Sequence, residues 1–210
     1  MAPVDGYAPE DFVADAIAVM DDRGLKKPVV VGHSMGGAHA MVLAALHPER
    51  VRGLVLVDVG PEIGHEGGDR ARRLSAGRPD RFDHADAALA YLRETSPGYS
   101  DAVYANRMEH VFRREPDGAL TWRSSKDALV QILSGPARSA DAWRAIAGLA
   151  MPVLVVRGTR SPSLRAATYE RMLATIPNVT GLELDAGHNV QLDRPAELAE
   201  ALVRFAVSGS

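Results

Sequence analysis

The chain is predicted to fold as an α/β protein with a mostly parallel sheet of about four strands. Three observations lead there. Apolar runs such as Leu54-Val55-Leu56-Val57 and Val153-Leu154-Val155-Val156 lack in–out alternation, the pattern of parallel strands covered on both faces. Segments with helical periodicity alternate with those runs. Between the second and third strands the sheet pattern stops, and residues 61–150 carry helical periods instead, too long a stretch for a simple loop.

Each element has a local reason. Pro9–Asp22 reads as a helix: proline suits its first turn, Glu10 and Asp11 suit its positive end, and Phe12, Ala16, Ile17 and Met20 form one apolar stripe. Gly24 ends it. Pro28 opens the strand Val29–Gly32, a helix follows from Met35 to about His47, and Pro48 stops it. Arg52–Val59 is the second strand, broken at Gly60-Pro61. In the insert, helices are expected at Ala85–Arg93, Asp101–Arg113, Lys126–Leu133 and Ser139–Leu149, and Pro116-Asp117-Gly118 turns between short extended pieces. Pro152–Gly158 is the third strand, a helix ends near Ile176-Pro177, and Val179–Leu184 is the fourth strand. The last helix, Pro195–Phe205, sets Leu198, Leu202 and Phe205 on one face. The division that follows is a core of residues 1–60 and 151–210 with a helical cap at 61–150. A separate helical domain is the alternative, disfavoured because the sheet pattern resumes directly afterwards.

Composition narrows the function. A length of 210 residues suits one domain with an inserted subdomain, and 46% hydrophobic with 24% charged residues is ordinary for a globular protein. A net charge of −3 gives no reason to expect nucleic acid or an anionic membrane surface as a partner. Without cysteine there is no disulfide framework, thiolate nucleophile or cysteine metal site. The first residues, Met1–Gly6, lack the basic and apolar parts of a signal peptide, and no run approaches a membrane span, so the expected location is cytoplasmic. His65, His84 and His110 have no metal-ligand spacing beside carboxylates, so neither a metal nor another cofactor is expected.

The chemistry centres on Val29-Val30-Val31-Gly32-His33-Ser34-Met35-Gly36-Gly37. A β-branched strand running into Gly-x-Ser-x-Gly and then a helix is a nucleophile elbow, which holds a serine hydroxyl at the tip of a strained bend. Gly32 and Gly36 are expected to let strand and helix backbones pass closely. The helix start behind Ser34 points free N–H groups at an anion forming beside its oxygen, the Met35 N–H first among them. In a parallel sheet the carboxyl ends of the strands share one rim, which here collects Ser34, Asp58 and His188. Serine needs a base to ionise, and His188 in Ala-Gly-His-Asn is that base, with a carboxylate behind its ring to set the tautomer. His33 is read as elbow packing, with a place among the oxyanion and substrate contacts as its alternative. The Met35 side chain is expected to touch substrate. Trp143, like Trp122, Met108 and Phe112, lines an acyl pocket or packs the cap on the core; the residues do not choose between them.

Gly-His-Ser-Met-Gly-Gly, Leu-Val-Leu-Val-Asp, the helical insert, Pro-Val-Leu-Val-Val-Arg-Gly and the late Ala-Gly-His together resemble the α/β-hydrolase superfamily, nearest its capped esterases, enol-lactonases and carbon–carbon bond hydrolases. The likeness runs from about Gly6 to Phe205. It implies an acyl-enzyme on Ser34, formed with His188 as base from a small carboxylic ester or lactone. Two alternatives are carbon–carbon bond hydrolysis on the same fold and a weakly active or non-catalytic binding protein.

Two departures from the family pattern matter. Its acid usually follows the strand matching Pro152–Gly158, but the loop Thr159–Ser163 has no Asp or Glu, and Pro162 stands where relatives often carry aspartate. Some members take the acid from the end of the preceding strand, which here is Asp58; the alternatives are a rim aspartate capping the turn at Gly60-Pro61, or no acid at all. The second departure is that only 33 residues precede Ser34, so several strands and the His-Gly loop that supplies half the oxyanion hole have no counterpart. That leaves one side of Val29-Val30-Val31 bare, from which a homodimer or other homo-oligomer is expected, through that edge or through the N-terminal segment.

Overall fold

The computed structural model describes residues 7–62, 65–134 and 139–208. In chain order its helices and strands are α1 (Pro9–Asp22), β1 (Val29–His33), α2 (Met35–Leu46), β2 (Gly53–Val57), α3 (His65–Gly77), β3 (Arg81–Phe82), α4 (Ala85–Thr95), α5 (Asp101–His110), β4 (Phe112–Arg114), β5 (Leu120–Trp122), α6 (Lys126–Ser134), α7 (Ser139–Ala147), β6 (Val153–Gly158), α8 (Ala166–Thr175), β7 (Val179–Leu184), α9 (Val190–Asp193) and α10 (Pro195–Ser208). The described residues of 7–68 and 139–208 form one unit, and 69–134 form another.

The first unit is built on a parallel sheet in the order β1-β2-β6-β7. Successive side chains of a strand face opposite ways, and β2 uses both faces for burial. Leu54 and Leu56 join Val153 and Val155 in a core with Val13 of α1, Met41 and Leu43 of α2, Ile146 of α7 and Met172 of α8. Val55 and Val57 join Leu154 and Val156 on the other face, under Val190 of α9 and Leu198 of α10. The absence of alternation in the sequence is thus the signature of a strand sandwiched between helical layers. Among the described residues β1 lies at one edge of the sheet and β7 at the other, and Val31 of β1 is 49% exposed.

Local chemistry sets the helix ends. The Asp11 carboxylate accepts the Ala8 N–H at 2.9 Å, tying off the start of α1, and Gly24 leaves that helix at a φ of 64°. Phe12 of α1 stacks on His39 of α2 with ring centroids 4.1 Å apart.

The second unit is less purely helical than the sequence suggests. β3, β5 and β4 make a small antiparallel sheet, with Phe112 opposite Trp122 and Arg114 opposite Leu120 across the Pro116-Asp117-Gly118 turn. Phe82, Leu92, Tyr104, Phe112 and Leu120 form its core. Helix α5 stops at His110, earlier than its apolar spacing implies, because Phe112 pairs as a strand residue. Helix α3 was not anticipated. Helix α7, expected within the insert, groups with the parallel-sheet unit. Among the described residues no helix is long and apolar enough to cross a membrane.

Candidate active site

Strand register brings the site together. His33 pairs with Val57, so Ser34 and Asp58 leave neighbouring strand ends side by side. The Ser34 N–H donates to the Val57 carbonyl at 3.3 Å, and the Asp58 N–H donates to that of Val156 at 2.7 Å. Ser34 turns the chain into α2 with φ 53° and ψ −123°, backbone angles that cost an L residue about 1–3 kcal/mol. A Cβ on Gly32 would sit 2.5 Å from the Gly37 Cα, and one on Gly37 would collide with Val59 Cγ1. The close approach therefore falls on Gly32 and Gly37. Gly36, expected to share it, has open space where its Cβ would be.

The three rim residues meet. His188 Nε2 lies 3.0 Å from Ser34 Oγ, and His188 Nδ1 lies 2.8 Å from Asp58 Oδ2. A carboxylate only accepts, so Nδ1 carries the proton and donates to Asp58, which leaves Nε2 as the acceptor facing the Ser34 hydroxyl. The Asp58 side chain is fully enclosed, whereas that of His188 is 33% exposed. Asp58 takes two further donors: the Gly158 N–H reaches Oδ1 at 3.0 Å, and the Ser161 hydroxyl donates to Oδ2. The loop that lacks an acid thus wraps the acid of the neighbouring strand. Ser161 was missed from the sequence, where the available signal was a hydroxyl three residues past the end of the strand adjacent to that of Asp58.

The loop bearing His188 is tied on several sides. His33 Nε2 lies 2.8 Å from the His188 carbonyl and donates to it, and the two rings are 4.6 Å apart. The Gly187 N–H donates to Asp193 Oδ2 at 2.6 Å. A Cβ on Gly158 would come within 2.7 Å of the Ala186 carbonyl oxygen, so β6 runs directly against this loop. Burial is the main influence on the His33 imidazole and pushes it below its ordinary value; the bond to the His188 carbonyl pulls the other way, and His188 as a neighbouring cation pushes down again. A second positive charge is thereby disfavoured beside the His188 ring.

Met35 begins α2, so its N–H is one of the first-turn donors without a helical acceptor, and its side chain is 38% exposed. Trp143 is only 8% exposed, lies in the core cluster with Ile146, and carries the Arg171 guanidinium 3.8 Å above its ring. Among the described residues no three His, Asp or Glu side chains group in a way that would hold a metal ion.

Comparison with known proteins gives the family. A family model described as the alpha/beta hydrolase family matches residues 2–201. A 3-hydroxybutyrate-oligomer hydrolase of Cupriavidus necator is 29% identical, over 96% of this chain and 72% of its own length. The lipase LipV of Mycobacterium tuberculosis is 31% identical, over 90% of this chain and 72% of its own. The crystal structure of an E-2-(acetamidomethylene)succinate hydrolase superposes with a TM-score of 0.84 at 27% identity, covering 98% of this chain and 76% of that one. With the elbow, the parallel sheet and a match over nearly its whole length, the chain belongs to the alpha/beta hydrolase family.

Proposed function

We propose that the protein is a serine hydrolase that cleaves a small carboxylic ester or lactone. The observation that carries this reading is the line of contacts from Ser34 Oγ through the His188 ring to Asp58 Oδ2, at 3.0 and 2.8 Å. His188 Nε2 takes the Ser34 proton as Oγ bonds to the substrate carbonyl carbon, and the carbonyl electron pair moves onto oxygen. The Met35 N–H steadies that oxyanion at the start of α2. Collapse breaks the bond to the leaving alkoxide, which takes the proton from Nε2. Water then repeats the sequence: its proton passes to Nε2, its oxygen attacks the acyl carbon, and Ser34 leaves with the proton restored. Asp58 stabilises the imidazolium in both halves. His33 holds the His188 loop in this scheme. Trp143 serves packing in this scheme, since its burial leaves little surface for an acyl chain. The relatives' names, a 3-hydroxybutyrate-oligomer hydrolase and a lipase among them, support ester chemistry.

The test is labelling with a fluorophosphonate and turnover of short-chain aryl esters and lactones. The expected result is labelling and turnover lost together in Ser34→Ala. Folded protein that neither labels nor turns over, or labelling that survives Ser34→Ala, overturns the reading.

Self-association through β1 belongs to the same proposal. β1 has no second neighbour among the described residues, and an apolar edge of this kind pairs readily with a second copy. Light scattering should give twice the chain mass, and a monomer at micromolar concentration rejects it.

A further inference from the structure

We propose that Ser161 is a positioning residue for the acid, holding Asp58 so that Oδ2 faces His188; the inference rests on the hydrolase reading for its kinetic consequence. Proton directions here follow from the donor inventory. Ser163 N–H donates to Ser161 Oγ at 3.1 Å, so that oxygen is already an acceptor. Its own proton then goes to Asp58 Oδ2, which can only receive. Oδ2 is therefore shared by Ser161 and His188, while Oδ1 is held by Gly158 N–H at 3.0 Å. Two oxygens pinned from the last residue of β6 and from the loop that follows it fix the plane of the carboxylate.

Three features make the hydroxyl hard to replace. Ser161 is 7% exposed and Asp58 1%, so bulk water has little access with which to substitute for it. Asp58 itself sits at a φ of 50°, a conformation its own backbone does not favour, and its side chain needs outside support to stay aimed. The loop that presents Ser161 is also prearranged. Ser161 N–H closes a turn onto the Gly158 carbonyl at 3.0 Å, and Arg157 Nε donates to the Leu164 carbonyl at 3.0 Å, bracing the far end of the loop. Arg157 is in turn paired with Glu183 of β7. The end of β6 and its loop thus contribute one donor each to a carboxylate at the end of a neighbouring strand.

The experiment compares Ser161→Ala, which removes only the hydroxyl, with Ser161→Thr, which keeps it. Thermal melts verify folding of both. A charge-assisted hydrogen bond of this kind predicts a fall in kcat of about ten- to a hundred-fold in Ser161→Ala with KM nearly unchanged, and recovery of most of that loss in Ser161→Thr. The low-field proton resonance of His188 Nδ1 should shift or broaden in the alanine variant and return in the threonine variant. Alanine protein with wild-type kcat and an unmoved resonance overturns the inference, as does a folded threonine variant as impaired as alanine. The resonance is read without turnover, so it separates the two proposals. If it responds while Ser34 never labels, the Ser161–Asp58–His188 coupling stands and the hydrolase reading falls.

Discussion

Ser34 and Asp58 stand beside each other at the ends of β1 and β2, and both carry positive φ angles, 53° and 50°. Among the described residues they are the only non-glycine positions of that kind. Strain at two adjacent strand ends persists because packing and hydrogen bonds around it over-determine the backbone, the usual state of affairs where chemistry is done. The His188 ring spans the pair.

Asp58→Asn should leave the fold intact and cut kcat by about 10⁴-fold, because an amide opposite Nδ1 no longer enforces the productive tautomer. Steady-state kinetics on an aryl ester with a matching melting curve is the check. A loss below tenfold would mean that Asp58 is structural.

His33→Phe preserves a ring next to His188 but removes the donor to its carbonyl. One such bond is worth about 1 kcal/mol, so kcat should fall about fivefold, with KM little changed. Unchanged turnover would show that the loop is held without it.

Gly37→Ala should destabilise the protein by about 1–3 kcal/mol, since the new methyl meets Val59 Cγ1 and, at 2.8 Å, the Gly32 carbonyl oxygen. Gly36→Ala should be neutral or stabilising by up to about 1 kcal/mol, because its methyl enters open space in a helix. Urea denaturation distinguishes the two. Equal costs would contradict the assigned close approach.

Stability should fall on acidification. Burial lowers the imidazoles of both His33 and His39 below their ordinary value, near about 6.5. The unfolded chain therefore binds more protons once the pH drops to about 6.5, and folding free energy is lost progressively from there toward the folded-state values. His39 has neither ring nitrogen bonded and lies against Phe12. His39→Leu should flatten the decline in urea midpoint between about pH 8 and about pH 5. A slope identical to that of the parent would place the acid sensitivity elsewhere.

Much of the parallel-sheet unit was legible because its signals are local. The Val29–Val31 run, Gly-x-Ser-x-Gly and the apolar strand ending in Asp58 each state their structure within a few residues. What escaped depends on tertiary neighbours or on signals too short to read. The small antiparallel sheet has strands of two and three residues, below the length at which alternation is visible. Helix α3, with adjacent Gly67 and Gly68 and few apolar residues, carries little helical signature. The unit to which α7 belongs is decided by what Ile146 and Trp143 bury against, and the choice between Gly36 and Gly37 by where Val59 passes. Ser161 sits in no motif, so only its bond to Asp58 marks it out.

Ser34, the proposed nucleophile, follows β1, which like β7 has a sheet neighbour on one side only among the described residues, and edge strands open more readily than interior ones. Fraying of β1 would carry Ser34 away from the His188 ring while the interior strands stayed zipped. Heat should accordingly silence this protein before it melts it, and anything that clamps that border would lengthen its working life without touching a reacting atom.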